Sequence, residues 1–473
     1  MGYRAINLGV AVSMLVTVAA GKTPGVQTQP RLIGSRADRI QPYRANPRYW
    51  QYKGKPILLL GGSKDDNLFQ IPDLHAHIDE IARVGGNYIR NTMSDRRDLG
   101  FEVPAFERRP DGKYDLDRWN PEYWRRFSEM LRLTYDRNII VQIEVWDRFD
   151  YWQKHWARHP FNPINNVNYT EAETGLGPRY DDHPANNQQP FFFSTPGQRP
   201  IAPLLKYQQR FVDEMLRRSL PYPNILYCMD NETAGAEAWG AYWAGYIRER
   251  ARAMGVEACV TEMWDDWNIT SETHHRTLDH PETYTFADVS QNNQMKGQVH
   301  WDRFQTVRSR IAARPRPINT VKTYGADGGP YGSTAEGVAR WWRHLIGGAA
   351  AVRFHRPITG LGLSDPAKAS IKAGRLVAQH IRFWQTEPQP SLLQDREEDE
   401  AYVSARPGEA YVVFFPRAGA IGLDGSAAKG ALTIRWVDIV RGVRGPTGRA
   451  QGGQTIALKT PGDGMWAAVV TRR

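Results

Sequence analysis

Three runs of the chain decide its fold: NIIVQIEVWD (138–147), PLLKYQQRFVDEMLRRSL (203–220) and NILYCMDNE (224–232). The outer two are short apolar runs of strand length, and the middle one has the length and composition of a helix. The same alternation extends in both directions. Towards the N-terminus lie PILLLGGS (56–63), then LHAHIDEIARVG (74–85) with helical spacing of Ile78, Ile81 and Val84, then NYIRNTMS (87–94) and PEYWRRFSEMLRLTYDR (121–137). Towards the C-terminus come AEAWGAYWAGYIRERARAMG (236–255), ACVTEMWD (258–265), TYTFADVS (283–290), WDRFQTVRSRIAAR (301–314), PINTVKTYG (317–325), AEGVARWWRHLIGG (335–348), AAVRFH (350–355) and a last helix to about Trp384.

Eight short strands, nearly all followed by a helix, imply a parallel sheet buried on both faces. Their number and span favour a (β/α)8 barrel over an open doubly wound sheet. No G-x-G-x-x-G follows the first strand, which argues against a dinucleotide fold. From Pro388 the texture changes to β-rich runs between Gly-rich turns, EAYVVFFPRAG, ALTIRWVDIV, QTIALKT and MWAAVVTRR, as in a small antiparallel sandwich. The expected organisation is a signal peptide (1–20), an extension (21–47), the barrel (48–387) and a C-terminal β-sandwich (388–473).

The signal peptide rests on Arg4, the apolar run AINLGVAVSMLVTVAA (5–20) and the small residues Val18 and Ala20 at its end. At roughly 15 residues the run is short for a spanning helix of about 20. The chain is therefore expected to be secreted or periplasmic, with no membrane span once the leader is cleaved. Among 473 residues, 61 Lys and Arg against 51 Asp and Glu leave a net charge of +10, yet there are no aromatic–basic repeats and no helix-turn-helix. Nucleic acid is not an expected partner. Two cysteines, Cys228 and Cys259, exclude a disulfide framework or a four-cysteine zinc site, and His274, His275 and His280 lack a metal-ligand arrangement. No cofactor is expected, and no G-x-S-x-G elbow suggests a serine hydrolase.

In a barrel the chemistry collects at the C-terminal ends of the strands. Those ends carry Lys64, Asp65 and Asp66, Arg90 and Asn91, Trp146 and Asp147, Asp230, Asn231 and Glu232, Glu262, Trp264 and Asp265, Asp288, Lys322 and Tyr324, and Arg353, His355 and Arg356. Asn231-Glu232 is the sharpest feature. A carboxyl group beside an amide donor suits acid/base work on a C–O bond, the amide binding a substrate hydroxyl. The bland alternative is a Glu that caps the next helix.

Here the chain resembles the clan A glycoside hydrolases, the cellulase-like (β/α)8 superfamily, in particular secreted bacterial members with a small C-terminal β-domain. GGNYIRNT (85–92) resembles the strand-two segment whose Arg supports the catalytic carboxylate, which would be Arg90. MDNE (229–232) resembles the strand-four Asn-Glu, making Glu232 the acid/base. PINTVKTYG occupies the strand-seven segment, where the resemblance implies a Glu nucleophile five residues after the Pro. That position is Lys322, which cannot attack an anomeric carbon as a carboxylate does.

The expected catalytic residues are therefore Glu232 and, as replacement partner, Glu262, which ends the neighbouring strand; Asp147 and Asp327 are the other candidates. Asn231, Arg90, Trp146, Asp147, Trp264, Lys322, Tyr324 and His355 are the expected substrate-binding residues. Trp146, Tyr151, Trp152, Trp156, Trp264, Trp267, Trp301 and Tyr331 suit stacking on sugars, or else serve as buried anchors. Arg90, Lys322, Arg353, His355 and Arg356 suit a clamp for sulfate or uronate groups, unless Arg353 and Arg356 pair with Asp65, Asp66 or Asp365. The expected function is hydrolysis of O-glycosidic bonds in a poly- or oligosaccharide. The alternatives are a non-catalytic carbohydrate-binding barrel that has lost its nucleophile, and more distantly a polysaccharide lyase.

Overall fold

The computed structural model describes residues 1–2, 31–94, 96, 99–183 and 189–472. The expected leader and the start of the extension lie outside these residues. Eight strands form one parallel sheet: β1 (Leu59–Gly62), β2 (Tyr88–Thr92), β3 (Ile140–Asp147), β4 (Ile225–Asn231), β5 (Cys259–Thr261), β6 (Ala287–Asp288), β7 (Ile318–Thr323) and β8 (Ala351–Phe354). Their order is β5-β4-β3-β2-β1-β8-β7-β6. The seam between β5 and β6 closes through Thr285, whose N–H donates to Val260 O (2.9 Å) while its Oγ1 accepts from Val260 N–H (2.8 Å).

A helix follows each strand: α1 (Leu74–Arg83), α2 (Pro121–Asp136), α3 (Ala202–Ser219), α4 (Glu237–Ala253), α5 (Glu272–Leu278), α6 (Gly297–Arg310), α7 (Thr334–Ile346) and α8 (Asp365–Ala378). The fold is a (β/α)8 barrel. Local chemistry sets the helix ends. Asn120 caps α2 by accepting from Glu122 N–H, with Pro121 at the first position, and Ser333 caps α7 by accepting from Glu336 N–H. Ile78 and Ile81 of α1 are buried as their spacing predicts. At β1 and β2 the backbones meet so closely that a Cβ on Gly61 would lie 1.8 Å from Tyr88 O.

A three-stranded hairpin unit, Gln41–Tyr43, Asn46–Tyr52 and Lys55–Ile57, crosses the expected boundary at residue 47 and covers the N-terminal end of the barrel. Its Trp50 is fully buried, donating Nε1–H to Asn319 Oδ1 at 2.9 Å. Above it a polar layer fills the barrel interior: Tyr88 Oη donates to Gln142 Oε1 (2.6 Å) and Asn319 Nδ2 to Tyr88 Oη (3.1 Å). No described helix is long and apolar enough to cross a membrane.

The C-terminal region is an antiparallel six-stranded sheet facing a three-stranded one. Strand Ala410–Phe415 explains the unbroken apolar run in its sequence, because both of its faces are covered. Tyr411, Val413 and Phe415 enter the core between the two sheets, while Val412 and Phe414 join the core of the barrel. Two adjacent tryptophans of α7 divide the same way. Trp341 stacks on Phe354 of β8 (5.4 Å) and Trp342 on Phe414 (5.7 Å).

Candidate active site

The mouth of the barrel is organised around one buried cation. Lys322, 2% exposed at its side chain, donates Nζ–H to Asn231 Oδ1 (2.6 Å) and pairs with Glu232 Oε1 (2.5 Å). The same Glu232 oxygen accepts from Gln291 Nε2 (2.9 Å) and from Tyr324 Oη (3.4 Å). Asn231 passes the chain on, donating Nδ2–H to Asp147 Oδ1 (3.0 Å), and Asp147 Oδ2 accepts from Arg96 (2.7 Å). Side chains from β3, β4 and β7 thus converge with Gln291 from the turn after β6. Burial raises the affinity of Glu232 for a proton, but the Lys322 ammonium and the hydrogen bonds from Lys322 and Gln291 outweigh it. The carboxyl is held below its ordinary range.

The backbone of Glu232 is left-handed, with φ +57°, an unfavourable place for a side chain of its type. The following residues hold it there. Thr233 N–H donates to Met263 O (2.9 Å) and Asp265 N–H to Thr233 O (2.8 Å), extending the β4–β5 pairing past the strand ends. This ladder brings Asp265 to the side of Glu232. Burial raises the Asp265 carboxyl above its ordinary range, and the charge of Glu232 raises it further, against Lys322 and His183.

Beneath this group lies a second, denser charge cluster. Arg90 is fully buried between Asp66 Oδ1 and Glu144 Oε2, both at 2.6 Å. Asp66 also accepts from Arg356 Nε (2.7 Å) and faces His355 Nδ1 (3.6 Å). Despite burial, the guanidiniums of Arg90, Arg356 and Arg353 hold Asp66 well below its ordinary range. Burial pushes His355 well below the usual imidazole range, so its ring is neutral as it packs against Tyr324 at 4.9 Å. Arg353 is buried and donates to Val321 O (2.6 Å) and to Ser63 Oγ. The predicted basic cluster therefore exists, but its charges are met by Asp66, Glu144, Glu232 and backbone carbonyls. Only Arg356 keeps an exposed side chain, at 42%.

The structure brings Glu232, Asn231, Asp147, Lys322 and Tyr324 together, with Arg90 and His355 directly below. It places Glu262, Trp146 and Trp264 elsewhere, which corrects the expectation for those three. Glu262 Oε1 accepts from Asp230 N–H and Met263 N–H (2.9 Å each), and its other oxygen faces α4, where a Cβ on Gly240 would lie 2.3 Å from it. It sits with Asp230 and Arg148 behind the strands, where burial and the neighbouring Asp230 carboxyl raise its affinity for a proton well above the ordinary range. Trp146 packs against Phe191, Phe211, Trp239 and Trp243 in the layer between sheet and helices. Trp264 is 1% exposed and donates to Thr277 Oγ1 (2.7 Å).

Of the other predicted aromatics, Tyr151 and Trp156 are buried, and Trp301 packs on Tyr402 at the C-terminal region (4.6 Å). Tyr331, stacked on Tyr324 at 4.5 Å, and the half-exposed Trp267 remain open to a ligand. Asp327 lies in the turn before α7, its Oδ1 accepting from Thr334 N–H. One residue of the mouth carried no sequence signal of its own, Gln291, in a short 3-10 helix after β6; Asp265 was named at its strand end but passed over for Glu262 three positions earlier.

No protein-family model matches the chain, and no characterised protein matches it in sequence. Solved structures do match in fold. A glycoside hydrolase family 5 structure from Bacteroides vulgatus superposes with a TM-score of 0.61 at 12% identity, covering 92% of this chain and 93% of its own. A second structure, described as a glycoside hydrolase, gives 0.64 at 11% identity, covering 93% and 98%. The likeness covers 92–93% of the chain, barrel and C-terminal region together, so the chain shares the fold of these glycoside hydrolase structures.

Proposed function

We propose that the chain is a secreted glycoside hydrolase that cleaves O-glycosidic bonds of a poly- or oligosaccharide at the mouth of its barrel. One observation carries this reading. A carboxylate, Glu232, is presented there on a strained backbone and gripped on one oxygen by Lys322, Gln291 and Tyr324, with a second carboxyl, Asp265, beside it. Two carboxyls in contrasting environments are the requirement for glycosidic bond cleavage. The fold shared with glycoside hydrolase structures supports the same chemistry. Lys322 leaves no strand-seven nucleophile, so the pair is drawn from β4 and the segment after β5. Support for a sulfated or uronate-bearing substrate narrows to Arg356, since the other cations are engaged within the protein. Secretion rests on residues 4–20.

The test is a panel of neutral, sulfated and uronate-rich polysaccharides with the purified mature protein, assayed for new reducing ends and unsaturated sugars, with Glu232→Gln alongside. Reducing ends without unsaturation, abolished in the variant, are the expected result. A second reading, a barrel that binds glycans without cleaving them, draws on Lys322 neutralising Glu232. It calls for silence across the panel and glycan affinity that survives Glu232→Gln.

A further inference from the structure

We propose that Asp265 is the proton donor of the reaction and that Glu232 is its ionised partner, the reverse of the role that the strand-four position suggests. The inference rests on the hydrolase reading above and assigns its second carboxyl.

The geometry separates the two groups. Glu232 Oε1 is saturated by three donors, one of them the Lys322 ammonium, an arrangement that favours the charged carboxylate. Asp265 is fixed through its backbone by Thr233, yet among the described residues its half-buried carboxyl has no hydrogen-bonding partner. Of two carboxyls side by side in a partly dry setting, the one without hydrogen-bond donors keeps its proton to the higher pH; the raised affinity noted above, net of the opposing Lys322 and His183 charges, agrees. The other carboxyls of the strand ends accept hydrogen bonds: Asp147 from Arg96 and Asn231, Asp66 from Arg90 and Arg356, Glu144 from Arg90, Asp288 from Ser290 N–H and Asp65 from Asp66 N–H.

The steps balance with water as co-reactant. Asp265 O–H gives its proton to the glycosidic oxygen as the anomeric C–O bond breaks, and that electron pair leaves with the alcohol. The free oxygen of Glu232 takes a proton from the water whose oxygen forms the new bond to the anomeric carbon. The cycle leaves Asp265 ionised and Glu232 protonated, and exchange with solvent resets both. Because water attacks directly, the product is inverted. The charged and titratable groups facing Asp265 are Glu232, Lys322, His183, Asp266 and Tyr331.

The experiment compares wild type, Asp265→Asn and Glu232→Gln on two substrate types: the polysaccharide cleaved in the panel, and α- and β-linked dinitrophenyl glycosides, whose leaving group departs without a proton. Thermal melts check that each variant folds, and proton NMR follows the anomer first released from the polysaccharide. Asp265→Asn is expected to lose about 10²–10⁴-fold on the polysaccharide, to keep its rate on the aryl glycoside, and to lose the alkaline limb of the polysaccharide pH profile. Glu232→Gln is expected to fail on both, and the released anomer to be inverted. If Glu232→Gln is the variant spared on the aryl glycoside, if Asp265→Asn is indifferent on the polysaccharide, or if configuration is retained, the assignment falls while the hydrolase reading stands. No cleavage by the wild type on either substrate type overturns both.

Discussion

Replacing Lys322 by methionine tests the organisation of the mouth without reference to substrate. The substitution keeps the volume and removes the charge, leaving Glu232 with Gln291 and Tyr324 and leaving Asn231 Oδ1 without its donor. At the 2.5 Å separation of this pair, an effective dielectric of about 20 gives a gross attraction of roughly 7 kcal/mol. The variant also escapes the cost of burying an ammonium, so the expected net loss at neutral pH is about 3–5 kcal/mol, as for other buried pairs broken on one side. Stability is read from denaturant unfolding followed by circular dichroism. The sign of the pH dependence follows from the depressed carboxyl of Glu232. The pair's stabilisation is present above the ordinary glutamate range and is lost as pH falls through the lower folded-state value. Lys322→Met should therefore look worst at neutral pH and approach wild type in acid. The double variant Lys322→Met/Glu232→Gln should recover most of the loss at pH 7. A penalty under about 1 kcal/mol at pH 7, or one of equal size in acid, would refute the claim that this pair is the keystone of the mouth.

Two further substitutions probe the frame around the site. Asp230 shares its buried site with Glu262, and burial pushes it up to about 6, so the folded state keeps a proton that the unfolded chain releases near 4. Stability should then fall as pH rises from about 4 to 6, and Asp230→Asn should flatten that slope in a pH series of thermal melts. Trp342→Ala removes the ring stacked on Phe414 between barrel and sandwich. It should cost about 3–5 kcal/mol, and calorimetry should show two unfolding transitions for the variant where one is expected for the intact chain.

Much of the architecture was legible because strand and helix periods differ and because the barrel repeats one unit eight times. The strand ends were harder, for a reason visible in β3, β4 and β7. On β3, Gln142 and Glu144 point inward at the expected spacing of two, but Asp147 rather than Trp146 continues the series. On β4, Asn231 faces the interior while Asp230 turns outward to Arg148. On β7 the register shifts between Thr320 and Thr323, so the inward residues Asn319 and Lys322 stand three apart. Irregularities of this kind re-aim side chains and gather beside active sites. A strict alternation sends Trp146 into the mouth, where the structure has a carboxylate. Lys322 was found because its position was counted from Pro317, not from a period. Glu262 and Asp265 show the same limit. Both follow β5, and only the extra pairing of Thr233 with Trp264 decides which of them stands beside Glu232.

The seam at Thr285 has a consequence for how the barrel moves. Each of the other seven joints around the wall holds at least one registered strand pair, whereas β5 and β6 hold none and meet through one main-chain bond and one hydroxyl. Free energies of local opening follow the density of such ties, so the wall has a designated place to part. Glu232 and Lys322 stand on the stiff arc at β4 and β7, while Asp265 and Gln291 ride on the two lips of the gap. A long glycan entering the mouth would meet two fixed charges and, on each lip, a group tied back to them, Asp265 through Thr233 and Gln291 through Glu232, so that any parting of the seam would be felt at the carboxyls themselves.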